Sequence, residues 1–210
     1  AAYDLKSPLS AIVSFSKLLQ RSWPVDADAE ALRDDLLEYV NIIAQNANKM
    51  NSTLQDLLWL DAVRNLDVQV SPLDMGRIVE NVLKPLKSTI KGHGTQIVLP
   101  QTWPVAQGYG PWVEAVWRRY ITNAIECGRQ PPHVELGADG QPERPPSEST
   151  SIRFWVRDNG PGIPLVDSTK VFVPLAHLDS VGNSGTYDLG LSVIQRAVER
   201  MGGQVGVESK

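Results

Sequence analysis

Cysteine is nearly missing from this 210-residue chain. There is one, Cys127, so no internal disulfide can form and a reducing compartment is the expectation. Histidine is almost as scarce: there are three, and the first in sequence is His93. No run of about 18 apolar residues occurs, so no membrane contact by this stretch is expected. No signal-peptide pattern opens it either. The chain starts directly in helix-like sequence and reads as a piece of a longer protein whose upstream part lies outside it. A basic excess is also lacking. Lys and Arg number 20 against 24 Asp and Glu, for a net charge of -4 and a pI near 5.4. Nucleic-acid binding calls for a basic stripe, so a nucleic-acid partner is not expected. What remains is ordinary soluble composition, 42% apolar and 21% charged, at a length suited to one or two domains.

Residues 1–65 read as two helices. Leu5, Leu9, Ile12 and Leu19 share one face of the first, and Trp23-Pro24-Val25-Asp26 ends it. Asp26 or Asp28 is placed to cap the second. In that helix Leu36, Val40, Ile43, Ala47, Met50, Leu54 and Leu57 alternate spacings of four and three, a coiled-coil seam. A narrow seam is poorly buried by one hairpin. The spacing fits either a hairpin that dimerises into a four-helix bundle or one that packs on the rest of the chain. From residue 66 to 210 the pattern becomes mixed. Strands are expected at 66–70, 95–99, 133–136, 151–156 and 204–207, and helices at 74–91, 110–127 and 189–201. The stretch 137–150, rich in Gly, Pro, Ser and Glu, reads as a loop. The fold class is α+β: a helical hairpin followed by an α/β sandwich.

Three segments could carry chemistry. Asp158-Asn159-Gly160-Pro161-Gly162-Ile163 follows a strand. Its aspartate could accept from an exocyclic amine while the glycines admit a flat base, or the residues could form a plain turn. Asn123, within a helix despite weak propensity, could offer an oxygen to magnesium or simply face solvent. Gly185-Thr186-Tyr187-Asp188-Leu189-Gly190-Leu191-Ser192 leads into a helix, where free amides and the helix dipole suit a phosphate, although Asp188 would repel one.

In this order, these segments resemble the ATPase domain of histidine kinases, a fold shared with DNA gyrase, heat-shock chaperone and mismatch-repair ATPases. Upstream, Tyr3-Asp4-Leu5-Lys6-Ser7-Pro8-Leu9-Ser10-Ala11-Ile12 is similar to that family's phosphoacceptor box. Val171-Phe172-Val173-Pro174-Leu175 resembles the phenylalanine box, and 199–208 the end of the domain. The resemblance covers nearly the whole chain. It implies a cytoplasmic sensor-kinase core with ATP and Mg2+ as cofactors, homodimeric through 1–65, partnered by the receiver domain of a response regulator and tethered to a membrane, if at all, through an upstream sensor region. It places Asn123 on magnesium, Asp158 on the adenine amine, Gly160 and Gly162 around the base, Gly190 and Leu191 at the phosphates, and a lid between 175 and 188.

The departures from the family fall on chemistry. Tyr3 stands where the phosphoacceptor histidine belongs. A phenol with an ordinary pKa of about 10 replaces a neutral nitrogen nucleophile, and Asp4 has no imidazole to orient. His93, His133 and His177 lie far along the chain and offer no local substitute. Arg119 replaces a second asparagine one turn before Asn123, Glu126 replaces a lysine, Tyr109 an aspartate and Asp188 a glycine. Arg119 could still bind phosphate, whereas Glu126 and Asp188 would oppose it. Two functions follow: an ATP-binding phosphorelay core in which self-phosphorylation is impaired, or a pseudokinase that dimerises and docks a regulator without phosphotransfer.

Overall fold

The computed structural model describes residues 2–21, 29–140, 151–164, 171–173 and 190–209, without the side chains of 2–7, 20–21 and 29–35. The chain divides into two compact units, Ala1–Asn65 and Leu66–Lys210.

The first unit holds helices α1 (Ala2–Arg21) and α2 (Ala29–Asn65). Pro8 lies inside α1, where it has no N–H to give to the helical ladder. Phe15 and Tyr39 meet across the pair with ring centroids 5.6 Å apart. The seam of α2 splits into two rows. Leu36, Ile43, Met50 and Leu57 recur every seventh residue and are half-buried. Val40, Ala47 and Leu54 recur in the same way and are exposed, Val40 at 50% and Leu54 at 45%. The hairpin covers one row and leaves the other open.

The second unit holds β1 (Ser71–Leu73), α3 (Met75–Gly92), β2 (Gln96–Val98), β3 (Ala106–Gly108), α4 (Gly110–Cys127), β4 (His133–Asp139), β5 (Arg153–Asp158) and α5 (Gly190–Arg200). A three-stranded sheet runs β2-β4-β5, parallel then antiparallel, and β1 pairs antiparallel with β3. Helix α3 starts where the Asp74 carboxylate accepts from the Arg77 amide at 3.1 Å, an N-cap. Its buried face carries Met75, Val79 and Val82, which meet Trp117, Ile121 and Ile125 of α4 and Val134 and Leu136 of β4 in one apolar core. Trp117 donates its indole N–H to the Met75 sulfur at 3.0 Å. The other face of the sheet is polar. Glu135 takes an ion pair from Arg157 at 3.2 Å and a contact from His133 at 3.3 Å. The Trp155 indole lies on Gly137, where any Cβ would collide with the ring, and Arg157 stacks over it at 5.0 Å.

Two expected strands differ, and one strand is additional. Leu66–Val70 alternates but has no ladder partner among the described residues, and pairing begins at Ser71 with Pro72 inside the strand, opposite Gln107. Proline is tolerated because a two-stranded ribbon has only edges. Residues 204–207 form no strand; this segment is tied down by side chains, with Arg153 to Glu208 at 3.0 Å and the Ile163 amide donating to Ser209 Oγ at 2.7 Å. β3 was unexpected, because Ala-Gln-Gly has none of the residues that mark strands. The expected caps at Asp26 and Asp28, the lid at 175–188 and most of the loop after β4 lie outside the described residues.

Candidate functional site

Helix α4 organises the site. Its start carries Tyr109 in an extended conformation at the N-cap, without a side-chain cap bond, and Pro111 in the first turn. Trp117, Ile121, Ala124 and Ile125 bury one face against the core. Arg119 and Asn123, four residues apart and therefore on neighbouring turns of one face, are only partly covered.

At the C-terminal end of α4 lies the turn after β5. The Asp158 carboxylate accepts from the Gly160 amide at 2.7 Å. Gly160 abuts the Cys127 carbonyl so closely that a Cβ there would stand 2.9 Å from it. Gly162 adopts φ +80°, a conformation that favours glycine. Asn159 holds this turn in place: its side-chain oxygen accepts from the His133 amide and its NH2 donates to the Pro131 carbonyl, both at 3.1 Å. Sequence reasoning saw Asn159 only as half of an Asn-Gly turn. The signal that it clamps a neighbouring loop lies in partners far along the chain.

The charge at this end is negative. Burial pushes the Cys127 thiol up, and the carboxylates of Glu126 and Asp158 push it further in the same direction. Burial alone pushes the Tyr120 phenol up to about 12. At the other end, the Arg119 guanidinium packs directly on Gly190, the first residue of α5, where a Cβ would clash with it. Gly190, Leu191 and Ser192 are buried. From Arg119 to Cys127 is about 12 Å along the helix axis, at a rise of about 1.5 Å per residue.

Of the expected residues, the second unit places Gly190 against Arg119, and Asp158 with Gly160 in the turn that abuts the end of α4; Asn123 lies on α4 between them. An acidic turn that can accept from an amine stands at one end of α4, and a guanidinium beside a helix N-terminus stands at the other. Tyr3 and Asp4 fall in α1, in the first unit, with their side chains outside the described residues, as is Asp188. Magnesium keeps several waters and takes further oxygens from substrate phosphates, so the protein need supply few ligands. Asn123 would offer one oxygen, Arg119 one turn away offers none, and no group of three or more His, Cys, Asp or Glu converges among the described residues. Among the described residues, no helix is long and apolar enough to cross a membrane.

Residues 1–64 match the His Kinase A (phospho-acceptor) domain, and residues 109–210 match the histidine kinase-, DNA gyrase B- and HSP90-like ATPase. Cyanobacterial phytochrome B of Nostoc sp. is 28% identical over 211 residues, covering 100% of this chain and 27% of that protein. The methanogenesis regulatory histidine kinase FilI of Methanothrix harundinacea is 27% identical over 209 residues, covering 100% of this chain and 22% of that protein. The histidine kinase ThkA, solved in complex with the response regulator protein TrrA, matches in fold with a TM-score of 0.72 at 16% identity, over 100% of this chain and 56% of that one. A helical phospho-acceptor-type unit followed by an ATPase-type unit defines the class as a two-component kinase core. The chain belongs to the histidine kinase family, as a sensor histidine kinase catalytic core. It spans about a quarter of the length of these two relatives.

Proposed function

We propose that residues 66–210 bind ATP along α4, and that residues 1–65 form a dimerising unit that no longer accepts phosphate on itself. The observation that carries this reading is the pair of opposed ends on α4. Asp158, held in its turn by Gly160 and Asn159, offers a carboxylate to an exocyclic amine. Arg119 and the first amides of α5 offer positive charge to phosphates. Their separation of about 12 Å suits a nucleotide extended along the helix. Asn123 lies between them as the neutral oxygen donor through which magnesium would touch the protein.

The open row Val40, Ala47 and Leu54 supports a homodimer, because a second hairpin laid against it would complete a four-helix bundle. A response-regulator receiver domain is the proposed partner, in keeping with the relative solved with a response regulator. A cytoplasmic location belongs to the same reading, since ATP and a lone thiol fit that compartment.

Phosphoryl transfer needs an in-line nucleophile at the γ-phosphate. At residue 3 a phenol stands in place of an imidazole, so Asp4 has no ring nitrogen to orient. Tyr3, together with Arg119, Glu126 and Tyr109, favours a second reading, a pseudokinase that signals by conformation and docking. Labelled ATP tests both. The chain is expected to bind nucleotide and to carry no acid-labile phosphate; an acid-labile adduct would overturn the argument from Tyr3. Tyr3→His separates the readings, since label gained by that variant identifies an intact ATP site with a missing acceptor, and a silent variant identifies the pseudokinase.

A further inference from the structure

Away from α4, helix α3 carries a one-sided charge. Its charged residues are Arg77, Glu80, Lys84, Lys87 and Lys91, four cations and one acid in a chain whose net charge is -4. All five are exposed. Helical periodicity sets them on one side, opposite Met75, Val79 and Val82, which enter the core. None of the five makes an ion pair among the described residues. Lys84, Lys87 and Lys91 follow at spacings of three and four, where like charges destabilise a helix and an acidic neighbour would relieve them. At the head of this stripe the surface turns concave. Gly76 stands one turn before Glu80, and the Trp103 indole lies over it, so that a Cβ there would stand 3.4 Å from the ring. Leu73, Met75, Trp103 and Val105, with Gln101 and Thr102, line a cleft of about 550 Å³. Pro100 and Pro104 flank the loop that carries Trp103, and its ring meets Trp117 and Phe154 at centroid distances of 5.5 and 6.2 Å. This wall is preformed, so little ordering opposes whatever fills the cleft.

We infer that this face docks an acidic protein segment, with one large apolar side chain in the cleft beside Trp103 and carboxylates along Lys84, Lys87 and Lys91. From Gly76 to Lys91 is about 22 Å at the helical rise, a span that about seven extended residues cover. The cleft and the stripe together select the class of partner. A bilayer is flat and leaves the cleft empty. A DNA duplex has no apolar knob to put in it. Neither polyanion gains much from a chain whose net charge is -4 outside that stripe. A protein segment meets both demands: its apolar anchor desolvates in a preformed pocket, and its acids set register and speed encounter.

A fluorescein-labelled peptide of about eight residues, one phenylalanine followed by glutamates and serines, tests this by anisotropy against the full chain. Binding is expected with a dissociation constant of about 100 µM or tighter, and no binding up to about 1 mM protein would overturn the inference. Serine in place of the phenylalanine should weaken the peptide by about tenfold. Equal binding of that peptide would reduce the contact to unspecific charge attraction and refute the role of the cleft. Lys84→Glu combined with Lys87→Glu reverses the stripe at exposed positions. Val105→Glu charges the cleft at a residue that is 59% exposed, so the core stays intact. Each variant should bind the peptide about tenfold or more weakly with its circular dichroism unchanged. Unaltered affinity in either would sink the proposal. Vesicles of anionic phospholipid and a DNA duplex are the rival ligands. If one of them binds the chain more tightly than the peptide and loses that binding in the double variant, it replaces the protein segment as occupant and the inference falls.

Discussion

The two units spend their apolar residues in opposite ways. In the α/β unit Val82, Ile121, Ile125 and Val134 are fully buried and the exposed apolar positions are scattered along strand ends and connections. In the hairpin one complete row of a heptad seam stays in water, and Leu58 is 72% exposed. The first arrangement closes its core within one chain. The second leaves its seam open, and on the proposed homodimer reading its stability would depend on protein concentration. Identical physics produces both: a sheet with helices on it can enclose a core alone, whereas two helices offer each other only one stripe.

The contrast can be broken most forcefully in the core. Ile121→Ala should cost about 3–4 kcal/mol, through lost burial and the cavity left behind. The cost is read as an earlier urea midpoint in tryptophan fluorescence, since Trp103, Trp112, Trp117 and Trp155 all report the α/β unit. A loss under about 1 kcal/mol would mean that this core is looser than its burial implies.

A somewhat smaller effect separates the units by pH. The folded Tyr120 phenol titrates near 12 against 10 for the free group, because burial disfavours its anion. Its raised value means that the folded state prefers the protonated form. The associated stability is therefore complete below pH 10 and is lost as pH climbs from about 10 to 12, on the order of 2 kcal/mol. Tyr120→Phe should abolish that alkaline step in the α/β transition. A step of equal size in the variant would assign it to another group.

The smallest effect on folding, and the sharpest test of the comparison, lies on the open row. Leu54→Asp should change the stability of an isolated hairpin by no more than about 0.5 kcal/mol. It should nevertheless raise the dimer dissociation constant by about tenfold or more, measured by sedimentation equilibrium. An unaltered association state would place the dimer interface elsewhere.

Much of this architecture is legible in the sequence, and the parts that are not share a cause. Helix α4 emerges at 110–127, the bounds expected from its pattern, because Pro111 starts it and apolar periodicity runs to its end. β4 and β5 are found with their edges shifted by a few residues. The seam of α2 is equally clear, but its division into covered and open rows depends on where α1 lies, which no local pattern records. Leu66–Val70 misleads because alternation marks a two-faced segment whether or not a partner strand exists. At the site, the Asp158 turn and Gly190 stand out by glycine and motif order. The clamp at Asn159 and the stacking of Arg119 on Gly190 do not, since each joins residues from separate elements. That a phenol, Tyr3, opens the stretch similar to the phosphoacceptor box is legible from the residue alone.

One consequence of α4 reaches beyond its contacts. Because one end of the proposed nucleotide site is carried by α4 and the other is packed on its last turn through Gly160 and Cys127, their spacing is set by the rise of one helix and by that packing. Residues along the exposed face can be exchanged one at a time, asparagine for arginine or lysine for glutamate, without altering the length of the cradle. A scaffold built like this keeps its dimensions when single residues along that helix change.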